Sequence, residues 1–291
     1  MPPTLPVTRD LTVAYAASLI VAVGIALAAV TGLVSGPEGL YRGSPLVLVS
    51  KGADAANLLI VLPTLLGSMW LARRGSLTGL LLWPGALFYT LYGYVPYLVG
   101  APFGVQFFVY VGLVTLSAFT VIGIVASVDG REVRRRLAGA PARSVGGALL
   151  VIAVLAFAGL TAAAIGALGD PAGDLGMRPL AVADWAVGTP VLLLGGALLW
   201  RRAPLGYVAA PGLLLVSGLG GVTFAAAAVL DNLQAGPRTE PAVIAVHLVI
   251  GAVSFGLLAF FLAGPARQVV APTRMSSGHA GRDGQQAGNH V

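Results

Sequence analysis

The chain has 291 residues, of which 57% are hydrophobic and only 10% are charged, whereas an ordinary soluble domain carries roughly 25% charged residues. So little charge excludes a water-soluble fold of this size. The net charge of +6 does not indicate nucleic-acid binding, because the arginines stand in short clusters between long apolar runs. The absence of cysteine excludes disulfides, thiolate catalysis and Cys-ligated metal centres.

Eight apolar runs are long enough to cross a membrane, which takes about 20 residues. The first run follows Arg9 and is longer than the roughly 7–15 apolar residues of a secretory signal, so it predicts a retained helix. We therefore predict an all-α, polytopic transmembrane bundle of eight helices. In chain order the runs cover 11–34, 53–72, 77–100, 104–128, 145–168, 182–200, 204–230 and 242–263.

Basic residues are shared unevenly between the two sides of this topology. When alternate connections are pooled, thirteen of the seventeen basic residues fall on the side that carries both termini. The positive-inside rule then predicts cytoplasmic termini. The abundance of Arg, Ala, Gly and Val is typical of GC-rich bacteria, so the expected location is a bacterial plasma membrane. Residues 265–291, rich in Gly, Ser, Gln and Asn, are predicted to form a disordered cytoplasmic tail.

An internal duplication is indicated when the chain is aligned with itself at an offset of 127 residues. The order Pro, Arg, Gly, Pro-Gly recurs in both segments and favours duplication, although biased composition can also produce such matches. The predicted repeats are 1–144 and 145–264, with four helices each. An even number of helices makes the repeats parallel, related by an axis along the membrane normal. The main identities are Pro63/Pro190, Arg74/Arg201, Gly79/Gly206, Pro84/Pro211 and Gly85/Gly212.

Four of these prolines fall near the predicted midplane of the bilayer. Each lacks the N–H that would bond the carbonyl four residues back, so those carbonyls need another partner. The four kinks can act as hinges or expose carbonyls to a cavity, or they can simply shape helix packing. The candidate hinges are Pro63, Pro84, Pro190 and Pro211, which release the carbonyls of Leu59, Leu80, Ala186 and Tyr207.

Ionisable side chains within the predicted spans are few, and each is a functional candidate because charge is costly in a bilayer. Asp184 lies 17 residues before Arg201, about 25 Å along a helix, which predicts a place just below the outer surface. The proposed repeat pairs it with Asn57, and Asp54 lies one turn further out. The alternative is N-terminal capping, since both helices would begin at the outer surface.

His247 is the only histidine in a predicted span; it can relay protons or bind a ligand, or it can simply bond a neighbouring helix. Tyr89 lies deeper than the other tyrosines of the third helix and is a candidate cavity wall. Tyr94 and Tyr97 are instead expected in the aromatic belt at the interface. The candidate substrate-binding residues are therefore Asn57, Tyr89, Asp184 and His247.

Small residues on the fifth and seventh spans, such as Gly159, Gly166, Gly218 and Gly221, are spaced for close helix contact. The sequence contains no phosphate-binding glycine loop, no paired acidic motif and no His/Glu cluster. No cofactor and no metal site are therefore predicted.

Two segments, 71–94 and 184–207, resemble an uncharacterised family of bacterial multi-helix membrane proteins. Members of that family place an acidic residue before each of the two helix prolines, as Asp54 precedes Pro63 and Asp184 precedes Pro190 here. They often have Asn where this chain has Gly93. The resemblance implies the multi-helix fold and no activity.

Parallel repeats, matched prolines and a few outer polar groups favour an uncoupled transporter or binder of a small apolar or lipid-like molecule. Ion coupling is not expected, because no carboxylate lies near the midplane. One alternative is a non-catalytic membrane component that acts with partner proteins. A second is a membrane-embedded enzyme, for which only Asp54, Asp184 and His247 could supply chemistry. The expected partners are membrane lipids and a small apolar ligand, and no nucleic acid.

Overall fold

The computed structural model describes residues 5–35, 50–101, 103–169, 171–237 and 239–269, and within these ranges it is helical with no strand. Two parts of the predicted topology lie outside the described residues. They are Ser44, which the topology places on the outer side, and almost all of the tail predicted to be disordered. The helices, numbered in chain order, are α1 (Thr12–Val34), α2 (Lys51–Ala56, Asn57–Val61 and Leu62–Arg73), α3 (Leu77–Gly100), α4 (Val105–Ser127), α5 (Gly130–Arg136), α6 (Ala142–Gly166), α7 (Pro171–Ala183, Asp184–Gly188 and Thr189–Trp200), α8 (Pro204–Ala235) and α9 (Pro241–Val269).

Seven of the described helices are long and apolar enough to cross a membrane, so the chain has the architecture of a multi-pass membrane protein. The sequence predicts eight such helices. The remaining run, 77–100, forms α3, whose 24 residues make a continuous helix but are rich in Tyr, Gly and Pro, which lowers their hydropathy. Helical structure therefore agrees with all eight runs, while composition supports seven of them as spans.

Two predicted connections contain helix. The segment 169–181, expected to be a loop, is helical from Pro171 onward and forms the first part of α7. The arginine-rich loop 129–144 contains α5, which Asp129 caps by accepting bonds from the N–H groups of Arg131 and Glu132. Glu132 also bonds Arg136 one turn later. Local capping and ion pairs of this kind form short helices without an apolar run.

The arginine-rich connections lie together at one end of the bundle, here called the basic end. The N-terminal segment before α1 meets the residues after α4 through an isolated antiparallel bridge between Val7 and Val128. Arg134 of α5 donates to the carbonyl of Arg202 at 3.5 Å. The end of α9 also packs here, because a Cβ at Gly264 would lie 2.6 Å from the Ala140 Cα.

Helix α3 forms the centre of the bundle and packs against α2, α4, α7 and α8. Its side chains Leu80, Leu81, Trp83 and Leu87 are fully buried. The Trp83 indole donates to the hydroxyl of Ser18 on α1 at 2.9 Å. This burial explains why α3 tolerates so many residues of low hydropathy, since it contacts protein rather than lipid.

The closest approach of two helices at the centre is between α3 and α8. A Cβ added to Gly85 would lie 2.4 Å from the Gly212 Cα, and one added to Gly212 would lie 3.1 Å from the Gly85 Cα. The preceding prolines, Pro84 and Pro211, are both buried at this crossing. The backbones therefore touch where the sequence predicts midplane kinks, and the interior there is packed.

Helices α2 and α7 each contain one π-helical turn, Asn57–Val61 and Asp184–Gly188. In both turns the last hydrogen bond reaches five residues back, from Leu62 to Asn57 and from Thr189 to Asp184. Each turn is followed by a proline that faces outward, at 63 and at 190.

The π register adds a carbonyl to those that the prolines leave without a helical donor. In an α-helix the missing N–H of Pro63 would have bonded Leu59, as the sequence predicts. Because the bond before it runs five residues back, the same register would pair the position of Pro63 with the carbonyl of Leu58. By the same argument Trp185 joins Ala186 as a carbonyl affected by Pro190.

The two halves of the chain differ in where their first helices pack. In the first half α1 packs against both α2 and α4 and so fills the space between them. In the second half α6 packs closely on α7, where Gly146 touches the backbone of Trp200, and barely contacts α9. Helices α7 and α9 both pack on α8 but make little contact with each other. The space between α7 and α9 over α8 is here called the α7–α9 slot.

Candidate ligand-binding site

Asp184 lies in the π turn of α7 and reaches across to α3. Its Oδ1 accepts a hydrogen bond of 2.8 Å from the hydroxyl of Tyr92. Asp184 and Tyr92 are both partly exposed. Asp184 is therefore not an N-cap, since the helix continues on both sides of it, and capping does not explain its position.

Gly188 lets Tyr92 lie across this turn. A Cβ at Gly188 would stand 3.0 Å from the Tyr92 ring and 3.2 Å from Asp184 Oδ1. In the π turn, residues 184 and 188 point toward the same neighbour, so the absence of a side chain at 188 makes room for the tyrosine. The sequence gives no sign of this contact, because no periodic pattern marks a π turn.

His247 projects from α9 into the α7–α9 slot. Its ring stacks on Phe224 of α8 with centroids 3.9 Å apart, and its Nδ1 lies 2.8 Å from the carbonyl of Val243. His247 is also within electrostatic range of Asp184. Asp184 and His247 therefore lie on the two helices that border the slot, α7 and α9.

The other two predicted site residues, Tyr89 and Asn57, are buried and do not border the slot. Tyr89 is 6% exposed, and its hydroxyl forms a short hydrogen bond with Thr223 of α8. Thr223 also donates to Leu219 of its own helix. Asn57 is buried in the π turn of α2, which packs on α1 and α8. Asn57 therefore does not join Asp184 and His247 in one site.

The tyrosines expected in an interfacial belt point inward instead. Tyr94 and Tyr97 are each 1% exposed and pack with Tyr110 of α4. The hydroxyl of Tyr97 donates to buried Asp54 at 3.3 Å. The N-cap of α2 is Ser50, which accepts from the N–H of Ala53. Asp54 therefore serves the packing of α2 on α3 rather than capping, and the belt interpretation of these two tyrosines is wrong.

A mainly apolar groove of about 380 Å³ lies between α1 and α4. It is lined by residues such as Ile20, Gly24, Gly112 and Phe119, and by Thr115, which carries a hydroxyl. The groove offers no charged group that would orient a ligand, so the slot is the better candidate site. The slot is bordered by a carboxylate, a phenol and an imidazole, which can accept hydrogen bonds. Such a site favours a ligand that carries a positive charge or hydrogen-bond donors.

Comparisons with models of protein families, with curated proteins and with solved structures found no match to this chain. No group of three His, Cys, Asp or Glu side chains suited to a metal ion occurs within the described part of the chain.

Proposed function

We propose that the protein binds a lipid-like molecule in the α7–α9 slot and moves it across the membrane without ion coupling. The observation that carries this proposal is that, among the described residues, α7 and α9 both pack on α8 but make little contact with each other, whereas in the first half α1 packs against both α2 and α4. Asp184 and Tyr92 border this space and are partly exposed. A lateral opening of this kind admits an amphiphile from the bilayer, with its polar end against the carboxylate.

The proposed path lies at the side of the bundle and not along its centre. Gly85 and Gly212 bring α3 and α8 into backbone contact, which leaves no room for a substrate between the halves at that level. The proposed binding site is therefore the slot and not a cavity between the two repeats. Tyr92 borders this site together with Asp184 and His247, whereas Asn57 and Tyr89 do not.

We also propose that the chain crosses the membrane eight times, with the basic end in the cytoplasm. The N-terminal segment, the start of α8 and the end of α9 lie together at this end, and Arg73 lies 4.7 Å over the ring of Tyr15 near the start of α1. Helix α3 begins and α4 ends at the basic end, which supports the proposal that α3 crosses the membrane in one direction and α4 returns. Arginine clusters then favour the cytoplasmic side.

A parallel internal repeat is part of this proposal and is supported by features that recur 127 residues apart. The π turns recur, as does the left-handed residue after each arginine, Gly75 with φ 81° and Arg202 with φ 55°. The next bonds recur too, from Ser76 to the Leu71 carbonyl and from Ala203 to the Leu198 carbonyl. The repeat covers α2–α4 and α7–α9, whereas α1 and α6 pack differently.

A non-catalytic component that acts with partner proteins is the alternative function. The specific observation in its favour is the tight contact between α3 and α8, which is expected of a passive bundle. The two functions differ in whether the slot is occupied by lipid and whether Asp184 affects lipid movement.

Reconstitution into liposomes tests the proposal. Vesicles that contain the full chain and a trace of fluorescent phospholipid are treated with an impermeant quencher, and the fraction of label reached is measured. We expect the wild-type protein to expose inner-leaflet label and Asp184→Asn to slow this exposure. The matched control, Glu240→Gln, removes an exposed carboxylate from the connection before α9 and should leave the rate unchanged. Equal protection in vesicles with and without the protein would contradict transport.

A further inference from the structure

We propose that the α7–α9 slot recognises the primary ammonium group of an aminophospholipid. This inference rests on the proposed function and adds the chemical class of the ligand. It follows from the hydrogen-bonding capacity that Asp184, Tyr92 and His247 have left once their bonds within the protein are made.

Each of the three side chains presents an acceptor to the slot. Asp184 Oδ1 is bonded by Tyr92, and none of the described residues donates to its Oδ2. The single hydroxyl proton of Tyr92 is used in that bond, which leaves only lone pairs on its oxygen. A carbonyl can only accept, so His247 Nδ1 donates to Val243, and Nε2 accepts a hydrogen bond in the tautomer that carries its single proton on Nδ1.

The charge of the site points to a cation. No Lys, Arg or protein amine among the described residues forms an ion pair with Asp184, and an unpaired carboxylate within a membrane is costly. A cationic partner would remove this cost, because a buried charge is stabilised by a hydrogen-bonded counter-charge. The ring of Phe224 beneath His247 lines the same region with apolar surface.

A primary ammonium satisfies both requirements, since it carries one positive charge and three N–H donors. A quaternary ammonium has the charge but no N–H, so it cannot bond the three acceptors. The geometry therefore predicts that the slot prefers phosphatidylethanolamine to phosphatidylcholine with the same acyl chains. The lipid places its headgroup near Asp184, and its chains occupy the apolar space between α7 and α9.

Native mass spectrometry of the detergent-solubilised full chain tests this preference. The protein is mixed with equal amounts of the two lipids, and the ratio of the bound species is measured. We expect about tenfold more bound phosphatidylethanolamine, the effect of one charge-assisted hydrogen bond. Asp184→Asn should reduce the ratio to about one while lipid is still retained. His247→Phe, which keeps the stacked ring but loses the acceptor, should reduce it in part.

Two controls make the outcome decisive. Glu240→Gln should keep the wild-type ratio, and Tyr94→Phe, which removes a buried hydroxyl without a partner among the described residues, should keep it as well. Wild-type protein that retains both lipids equally would overturn the ammonium assignment and leave the proposed lipid binding intact. Retention of neither lipid above the level of an unrelated membrane protein would overturn both. Competition by soluble ethanolamine would show that the headgroup alone is recognised.

Discussion

The hydrogen bond between Tyr92 and Asp184 joins α3 to α7 away from the basic end, and its two partners are the residues on which the proposed site depends. Sequence reasoning found Asp184, because an acidic residue within an apolar run is conspicuous. It missed Tyr92, which stands among four tyrosines of α3. Which tyrosine faces α7 depends on how the two helices pack, and helical spacing alone does not decide it.

A double-mutant cycle measures this bond. We expect Tyr92→Phe to lower the free energy of unfolding more in the wild-type background than in the Asp184→Asn background, with a coupling energy of about 0.6–1.7 kcal/mol, as for hydrogen bonds between membrane helices. Unfolding by a denaturing detergent, followed by circular dichroism, provides the measurement. Additive effects of the two substitutions would mean that the hydroxyl and the carboxylate do not interact.

Glycines at helix contacts separate into those that touch a neighbour and those that do not. Gly218 and Gly221 lie against α9, as the sequence predicts, with a Cβ at Gly221 only 2.3 Å from the His247 carbonyl. Gly159 and Gly166 have no neighbour within 4 Å among the described residues, so no described helix makes the close contact predicted there. The same small-residue spacing occurs on packed and on lipid-facing helices, and only the partner distinguishes them.

Gly85→Ala tests the central contact at the level of a single methyl group. The new Cβ meets the backbone of Gly212, which cannot move aside as a flexible side chain can, so we expect a loss of about 1–3 kcal/mol in stability. Gly67→Ala on α2 is the matched control, since no described atom lies within 4 Å of its Cβ position. An equal effect of the two substitutions on detergent-induced unfolding would contradict the described crossing.

At the scale of the helices, the four prolines divide into two classes by their surroundings. Pro63 and Pro190 follow the π turns and face outward, whereas Pro84 and Pro211 are buried at the crossing of α3 and α8. The sequence places all four at similar depth and treats them as equivalent hinges. Their difference comes from the π turns, which shift the direction of the helix before the proline and are invisible in apolar periodicity.

Substitution of these prolines by alanine should therefore give two different results. Pro190→Ala restores an N–H that can bond a released carbonyl, so its stability should stay equal or rise. Pro211→Ala removes buried contacts at a crossing shaped by the kink, so its stability should fall by about 1–3 kcal/mol. Detergent unfolding of the two single variants is the measurement, and the reverse order would refute the division.

Helix positions were predictable from sequence because crossing a bilayer imposes a length of about 20 apolar residues. The apolar runs accordingly match α1 to α4 and α6 to α9 to within several residues at most ends. The start of α7 and the whole of α5 were missed, since Pro171–Ala183 and Gly130–Arg136 carry Gly, Pro or charge and no long apolar run. Their helical structure depends on caps, ion pairs and contact with α3.

At the scale of the whole molecule, the absence of cysteine makes the proposed orientation directly testable. Single substitutions Ser276→Cys and Ser44→Cys are labelled in intact cells with an impermeant thiol reagent. We expect labelling at 44, on the outer side, and none at 276 unless the membrane is permeabilised. Labelling of 276 alone would reverse the orientation. Both positions lie outside the described residues, so the experiment also locates these segments relative to the membrane.

The location of the site within the molecule could not have been predicted from the repeat. Equivalent sequence segments suggest equivalent surroundings, and on that basis Asn57 and Asp184 belong to matching sites. The different packing of α1 and α6 breaks this equivalence, because one π turn is covered by a helix and the other borders the slot. The packing of helices that lie far apart in sequence therefore decides which of the two π turns is covered and which borders the slot.

The contact of Gly85 with Gly212 bears on how such a chain could have evolved. In the proposed repeat Gly85 and Gly212 are equivalent positions, so in an ancestor made of two identical chains one mutation would have altered both sides of this contact together. A larger residue would then have met a larger residue, which keeps the position small. If two such copies were fused, the surroundings of each could change independently, so that one π turn is covered by α1 while the other borders the α7–α9 slot.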